Sequence, residues 1–175
     1  MRRLTGWVLV LVAGLYTIPG VAGWNPKLED KAGDAMAEFR KADPGIQTFF
    51  DKARGYVVFP TVGKGGLGIG GAYGKGAVFE KRKVIGTSSI AQLTIGFQWG
   101  GQAYREIIFF QNEAALDDFK TGKYELGAQV SAVAITLGAS ADADYKNGVA
   151  VFTMTKGGLM YEASVGGQKF TFSPR

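Results

Sequence analysis

Between Gly55 and Gly76 the chain reads Gly-Tyr-Val-Val-Phe-Pro-Thr-Val-Gly-Lys-Gly-Gly-Leu-Gly-Ile-Gly-Gly-Ala-Tyr-Gly-Lys-Gly, with eight glycines from Gly63 onward. Glycine buries almost nothing and loses the most backbone entropy on folding, so such a run cannot build a core by itself. Something must pack closely on it, either another layer of the protein or a ligand. A short apolar run, Tyr56 to Phe59, leads into it and stops at Pro60. Lys64 and Lys75 lie inside it.

The rest of the composition narrows the chemistry. The 175 residues suffice for one domain with its own core. Neither cysteine nor histidine occurs, which removes disulfides, Ser-His-Asp and Cys-His pairs, and Cys/His zinc sites together. Arg2 and Arg3, the apolar run Trp7 to Ile18, and the small residues Val21-Ala22-Gly23 have the layout of a secretory signal peptide, residues 1–23. The apolar run is short of the roughly 20 residues that a membrane span needs. An exported protein, periplasmic or secreted, is the expectation, with the folded domain in residues 24–175.

Charge is unevenly spread. From Lys52 to Arg105 there are eight basic residues (Lys52, Arg54, Lys64, Lys75, Lys81, Arg82, Lys83, Arg105) and one acid, Glu80, whereas the flanking segments, 24–51 once Arg2 and Arg3 are removed with the leader and 106–175, are each net −2. Such asymmetry points to one positive surface for an anionic partner, or to a solvated face paired with acids from elsewhere in the fold.

In chain order, Asn25-Pro26 reads as an N-cap with proline in the first turn. Leu28, Ala32, Ala35, Met36 and Phe39 then predict an amphipathic helix to about Lys41. Asp43-Pro44 repeats the start signal for a shorter helix carrying Ile46, Phe49 and Phe50 and ending near Arg54, with both helices expected on a sheet. From Gly55 the period becomes two. Ala72 to Phe79 reads as a strand; Leu93, Ile95, Phe97 and Trp99 alternate with small or polar residues; Gly100-Gly101 turns into a strand from Tyr104 to Gln111. Asn112 caps a short helix that Gly122 ends. Val130 to Leu137, then Val149 to Thr155 after Lys146-Asn147-Gly148, read as strands joined by a hairpin. Lys156-Gly157-Gly158 and Gly166-Gly167 lead to Leu159–Val165 and Lys169–Phe172. The expectation is a single α+β domain: a glycine-rich twisted antiparallel sheet, in its second half a meander, with N-terminal amphipathic helices and one short helix between strands.

Tests for chemistry return little. Gly-x-Gly-x-x-Gly occurs at Gly63, Gly65, Gly68 and at Gly66, Gly68, Gly71, but a strand rather than a helix is expected behind it, which does not suit a nucleotide phosphate. The P-loop pattern fails because Gly76 follows Gly74-Lys75 where Ser or Thr is needed. Asp142, Asp144 and Asn147 resemble a calcium loop only faintly, since Lys146 takes a ligand position. No catalytic residue, metal site or cofactor is expected, and the exported setting disfavours nucleic acid. An anionic lipid surface fits the same cations. Lysines beside a charged bilayer gain about 1 kcal/mol each, and bare glycine backbone lets main-chain N–H groups approach phosphate.

Gly55-Tyr-Val-Val-Phe-Pro60, the Lys64-Gly65-Gly66 turn, Gln92-Leu-Thr-Ile-Gly-Phe-Gln-Trp-Gly-Gly-Gln102, Asn112 with its helix to Phe119, and Lys156-Gly157-Gly158-Leu159 together resemble the SYLF domain family of lipid-binding and actin-regulating proteins, over about Lys27 to Phe172. The resemblance implies non-enzymatic binding of phosphoinositides or other anionic phospholipids, and in eukaryotic members actin binding and bundling. This chain is similar to the bacterial exported members, for which actin is not an obvious partner. Family lipid contacts use a basic N-terminal segment. Here Lys27, Lys31, Arg40 and Lys41 are interspersed with Glu29, Asp30, Asp34 and Glu38. The expected lipid site is therefore Lys64, Gly65, Gly66, Lys75, Lys81, Arg82 and Lys83, with a protein partner on the same surface as the alternative.

Overall fold

The computed structural model describes residues 25–67, 69–95, 101–157 and 165–175. The expected signal peptide, the alternating stretch from Phe97 to Gly100 and most of Leu159–Val165 lie outside the described residues.

The N-terminal helix α1 spans Pro26–Ala42, capped by the Asn25 side chain accepting from the Lys27 amide at 3.1 Å. A 3₁₀ turn, Pro44–Ile46, runs into α2, Gln47–Lys52. Asp43 joins this turn to a second 3₁₀ turn, Ala139–Asp142, because its carboxylate accepts from the amides of Gly45 (3.0 Å) and Ser140 (2.7 Å). Desolvation alone would raise this carboxyl, but the hydrogen bonds it accepts outweigh it and hold its pKa below the ordinary value.

The strands are β1 (Gly55–Leu67), β2 (Ile69–Glu80), β3 (Lys83–Ile95), β4 (Gly101–Phe110), β5 (Tyr124–Glu125), β6 (Ala132–Ala134), β7 (Val149–Thr155), β8 (Lys169–Phe170) and β9 (Ser173–Pro174); α3, Glu113–Lys120, follows β4. They form one curled sheet in the order β5-β8-β3-β2-β1-β4-β7-β6, with β9 also pairing β3. The α+β expectation holds. Two details differ. Pro60 does not end β1; the strand passes through it with a break in register between Val58 and Val62, where proline's missing N–H is tolerated. The second half is not a plain meander, for β6 runs parallel to β7. Asn147-Gly148 does turn tightly, with φ of 52° and 78°, but it closes only Lys146 onto Val149. Between β6 and β7 the chain passes through the 139–142 turn before it reverses at Asn147-Gly148, and the two strands point the same way.

Each face of the sheet has its own core. Val57, Phe59, Val62, Ile90, Ile108, Phe110 and Val151 form the inner core with Leu116, Phe119, Leu126 and Phe170. Tyr56, Val58, Phe79, Ile107, Phe109 and Phe152 form the outer core under Ala32, Ala35, Phe39, Ile46, Phe49 and Phe50. Phe49 sits edge-on to Phe152 (4.9 Å) and Phe50 edge-on to Phe109 (4.9 Å), so this pair packs on the sheet as expected.

The glycines divide by what surrounds them. A Cβ on Gly76 would come within 2.7 Å of the Phe59 ring and the Val58 carbonyl, and one on Gly74 within 2.7 Å of the Thr61 carbonyl. At these positions β1 and the Phe59 ring lie directly against the backbone of β2. Gly63 and Gly101 have open space where a Cβ would be.

A candidate anion-binding sheet face

Of the expected site residues, the structure groups some and separates others. Lys81 and Arg82 form the two-residue turn between β2 and β3, both with positive φ (48° and 66°), and Lys83 opens β3 opposite Glu80. Lys64, Gly65 and Gly66 lie at the other end of the hairpin, in register with Ala72, Gly71 and Gly70. Lys81 lies nine residue steps beyond Ala72, roughly 30 Å along a strand. The basic segment therefore does not gather into one patch. Nor are all its cations free: Arg82 pairs with Asp51 at 2.6 Å, and Arg54 with Glu80 and Glu113 at 2.8 and 3.4 Å.

A different grouping emerges on the outer face. Helix α1 covers only part of it, and three cross-strand rows remain beyond the helix. Residues in register share a face. The first row holds Arg105 beside Met154, and Lys75 beside Ser89. The second is Ala103, Gly63, Tyr73 and Ala91, and the third Gly101, Gly65, Gly71 and Leu93. Tyr73 is 56% exposed and Leu93 76%, standing out from a floor of glycine and alanine. Arg105 and Lys75 are two strands apart, about 10 Å. Lys64 leaves the sheet on the opposite face, since it is in register with Ala72 of the inner core.

Where the first row meets α1, a recess of about 470 Å³ is lined by Lys31, Asp34, Glu38, Thr61, Arg105 and Lys156. Lys156 Nζ donates to Thr61 Oγ1 at 2.7 Å, and among the described residues Arg105 reaches the Met154 sulfur, at 4.0 Å. Among the described residues no ion pair involves Lys31, Lys75, Arg105 or Lys156. Sequence reasoning counted Arg105 in the basic segment without placing it in the site, set Lys31 aside because acids are interspersed around it, and read Lys156 only as part of a turn. Arg105 was within reach, because it alternates with Ile107 and Phe109; Lys156 follows a strand whose face only the register reveals.

On the inner face, β4 carries a residue that sequence reasoning also missed. Glu106 is fully buried, between Tyr104 and Ile108 in the strand's inward set. Gln168 Nε2 donates to Glu106 Oε2 at 3.0 Å and to the Tyr104 hydroxyl at 3.2 Å. Burial pushes the Glu106 carboxyl up to about 8, against the opposing effect of the Gln168 hydrogen bond. Burial, then the adjacent Glu106, raises the Tyr104 phenol as well. A charged residue inside the Ile/Phe-rich run of β4 was the available signal.

These features define an α+β domain that offers a sheet face with unpaired cations and exposed apolar side chains. Residues 91–174, just under half of the chain, match the model of the family described as Ysc84, Las17-binding protein actin regulator, in line with the SYLF resemblance. That family is one of binding domains rather than of enzymes. The chain is also similar to "Beta cell expansion factor A" of Aeromonas veronii, 28% identical over 146 residues, which cover 79% of this chain and 53% of that protein. It thus spans about half the length of that curated relative.

Proposed function

We propose that the protein binds anionic phospholipid surfaces without catalysis, through the outer sheet face that α1 leaves bare. The observation that carries this reading is the coincidence on one face of Lys75, Arg105 and Lys156, unpaired with acids, and of exposed Tyr73 and Leu93. Three cations near an anionic surface contribute about 3 kcal/mol, and burial of a Leu side chain adds roughly 1.5–3 kcal/mol. Together these support weak, reversible, salt-sensitive attachment. The glycine floor adds no side chain to hold head groups away from the backbone. The signal-peptide layout of residues 1–23 would place this surface at the bacterial envelope.

Co-sedimentation with phosphatidylcholine vesicles, with and without phosphatidylserine, tests the reading. Binding should rise with the anionic fraction and fall steeply with salt, and Lys75→Glu with Arg105→Glu should reduce it at least tenfold. Replacing Lys81, Arg82 and Lys83 with alanine should have a small effect; a loss as large as that of the charge reversal would move the site to the turn. Binding indifferent to lipid charge would sink the reading and favour a protein partner on this face.

A further inference from the structure

We propose that Glu106 is a proton-controlled latch for the C-terminal strap, residues 165–175: with its proton Glu106 keeps the strap closed over the inner face, and loss of the proton releases it. The strap runs beside the open edge of β3. Its hold is made of short pieces: β8 pairs β3 and β5 through two residues, β9 pairs β3 through two, and the Gly167 amide and Gln168 carbonyl bond to Leu126 at 2.8 and 3.0 Å. Its one side chain reaching into the polar centre of the inner core is Gln168, fully buried against Glu106 and Tyr104.

The surroundings of Glu106 favour a neutral carboxylic acid. Phe59 lies opposite it on β1 and Thr153 opposite it on β7. Tyr104 on its own strand is the titratable neighbour, Gln168 faces it from the strap, and among the described residues no cation faces it from any of these elements. Glu106 Oε1, Thr153 Oγ1 and Gln168 Oε1 are buried with no hydrogen-bond partner among the described residues. A protonated carboxyl supplies a donor beside the Gln168 carbonyl oxygen and the Thr153 hydroxyl, which can itself donate or accept, whereas an ionised one adds a buried charge with no cation facing it. Ionisation therefore requires water at Glu106. The ladders of β1 to β4 are long and the strap's are two residues each, so of the elements around Glu106 the strap has the shortest ladders, with Val165 and Phe170 as its buried apolar anchors.

The direction follows from the raised pKa. The closed state binds the proton more tightly than an open one with an ordinary carboxyl, so closure is strongest at low pH. It is lost as pH rises from the ordinary carboxyl value of 4.5 to about 8, and levels off above that. Strap opening should rise about tenfold per pH unit within that interval.

Hydrogen exchange of the full chain, followed by mass spectrometry from pH 5 to 9 and corrected for intrinsic exchange, reads this directly. Peptides from 165–175 should lose protection by about tenfold per unit up to about pH 8 and then stop, while peptides of β1 and β4 change far less. Glu106→Gln, which keeps the shape and cannot ionise, should flatten the strap profile. Strap protection that is independent of pH would overturn the latch, as would an equal loss in β1 and β4, or an unchanged profile in the variant. Should Glu106→Gln fail to fold, the infrared carbonyl band of a neutral carboxylic acid in the wild-type protein serves instead. The band must fade over the same pH range as strap protection; fading in a different range overturns the proposal.

Discussion

At the scale of single residues, the glycine-rich run is resolved into two kinds of position. Gly74 and Gly76 are small because neighbouring strands and the Phe59 ring occupy the space a methyl would need. Gly63 is small on an exposed face, where among the described residues no atom lies within 4 Å of an added Cβ. Gly76→Ala should therefore destabilise the fold by roughly 1–3 kcal/mol, the usual cost of overpacking. Gly63→Ala should be neutral or stabilising by up to about 1 kcal/mol, since it removes unfolded-state entropy at no steric cost. Urea denaturation of the two variants checks the contrast, and equal destabilisation would mean that both glycines are packing positions. Leu93, 76% exposed, makes the complementary test. Leu93→Asp should leave stability within about 0.5 kcal/mol of the wild type. Vesicle binding should nonetheless fall, because an acid then sits among the cations.

At the scale of elements, helix caps and strand periods behave as local chemistry directs. Asn112 caps α3 by accepting from the Ala115 amide at 3.0 Å, and the helix seats Leu116 and Phe119 in the inner core. Asn112→Ala should cost about 1 kcal/mol, read as a lowered midpoint in thermal unfolding. The pairing of β6 with β7 shows where local reading stops. Asn147-Gly148 makes the tight turn its residues dictate, yet β6, the strand before that turn, pairs with β7 in parallel and not as its hairpin partner. Turn chemistry sets a local reversal of the chain; it does not select which distant segment fills the open edge of β7. The same holds at Pro60, where the shift in register between Val58 and Val62 lets β1 continue and puts Thr61 on the outer face beside Lys156.

At the scale of the whole molecule, the basic middle third of the chain is dispersed rather than gathered. Curling the sheet sends Lys81–Lys83 to one end of the β1–β2 hairpin and Lys64 to the other, while Arg54 and Arg82 take acidic partners. The grouping that remains unpaired mixes residues far apart in sequence: Lys31 from α1, Lys75 from β2, Arg105 from β4 and Lys156 after β7. With Lys75 and Arg105 on one face and Glu106 on the other, adjacent residues of β4 serve the two sides of the sheet.

The sequence by itself determined the α+β class, the extents of α1 and α3, the two-residue period of the strands and the burial of Phe49 and Phe50, because caps and apolar periodicity act over a few neighbouring residues. Of the candidate face it made Lys75 legible, together with the need for something to lie close to the glycines. Only the tertiary structure decided which cations share a surface, that β6 runs parallel to β7, and that Glu106 is sealed inside. Each of those depends on strand register and on how far the sheet curls, and both are set by contacts between segments tens of residues apart.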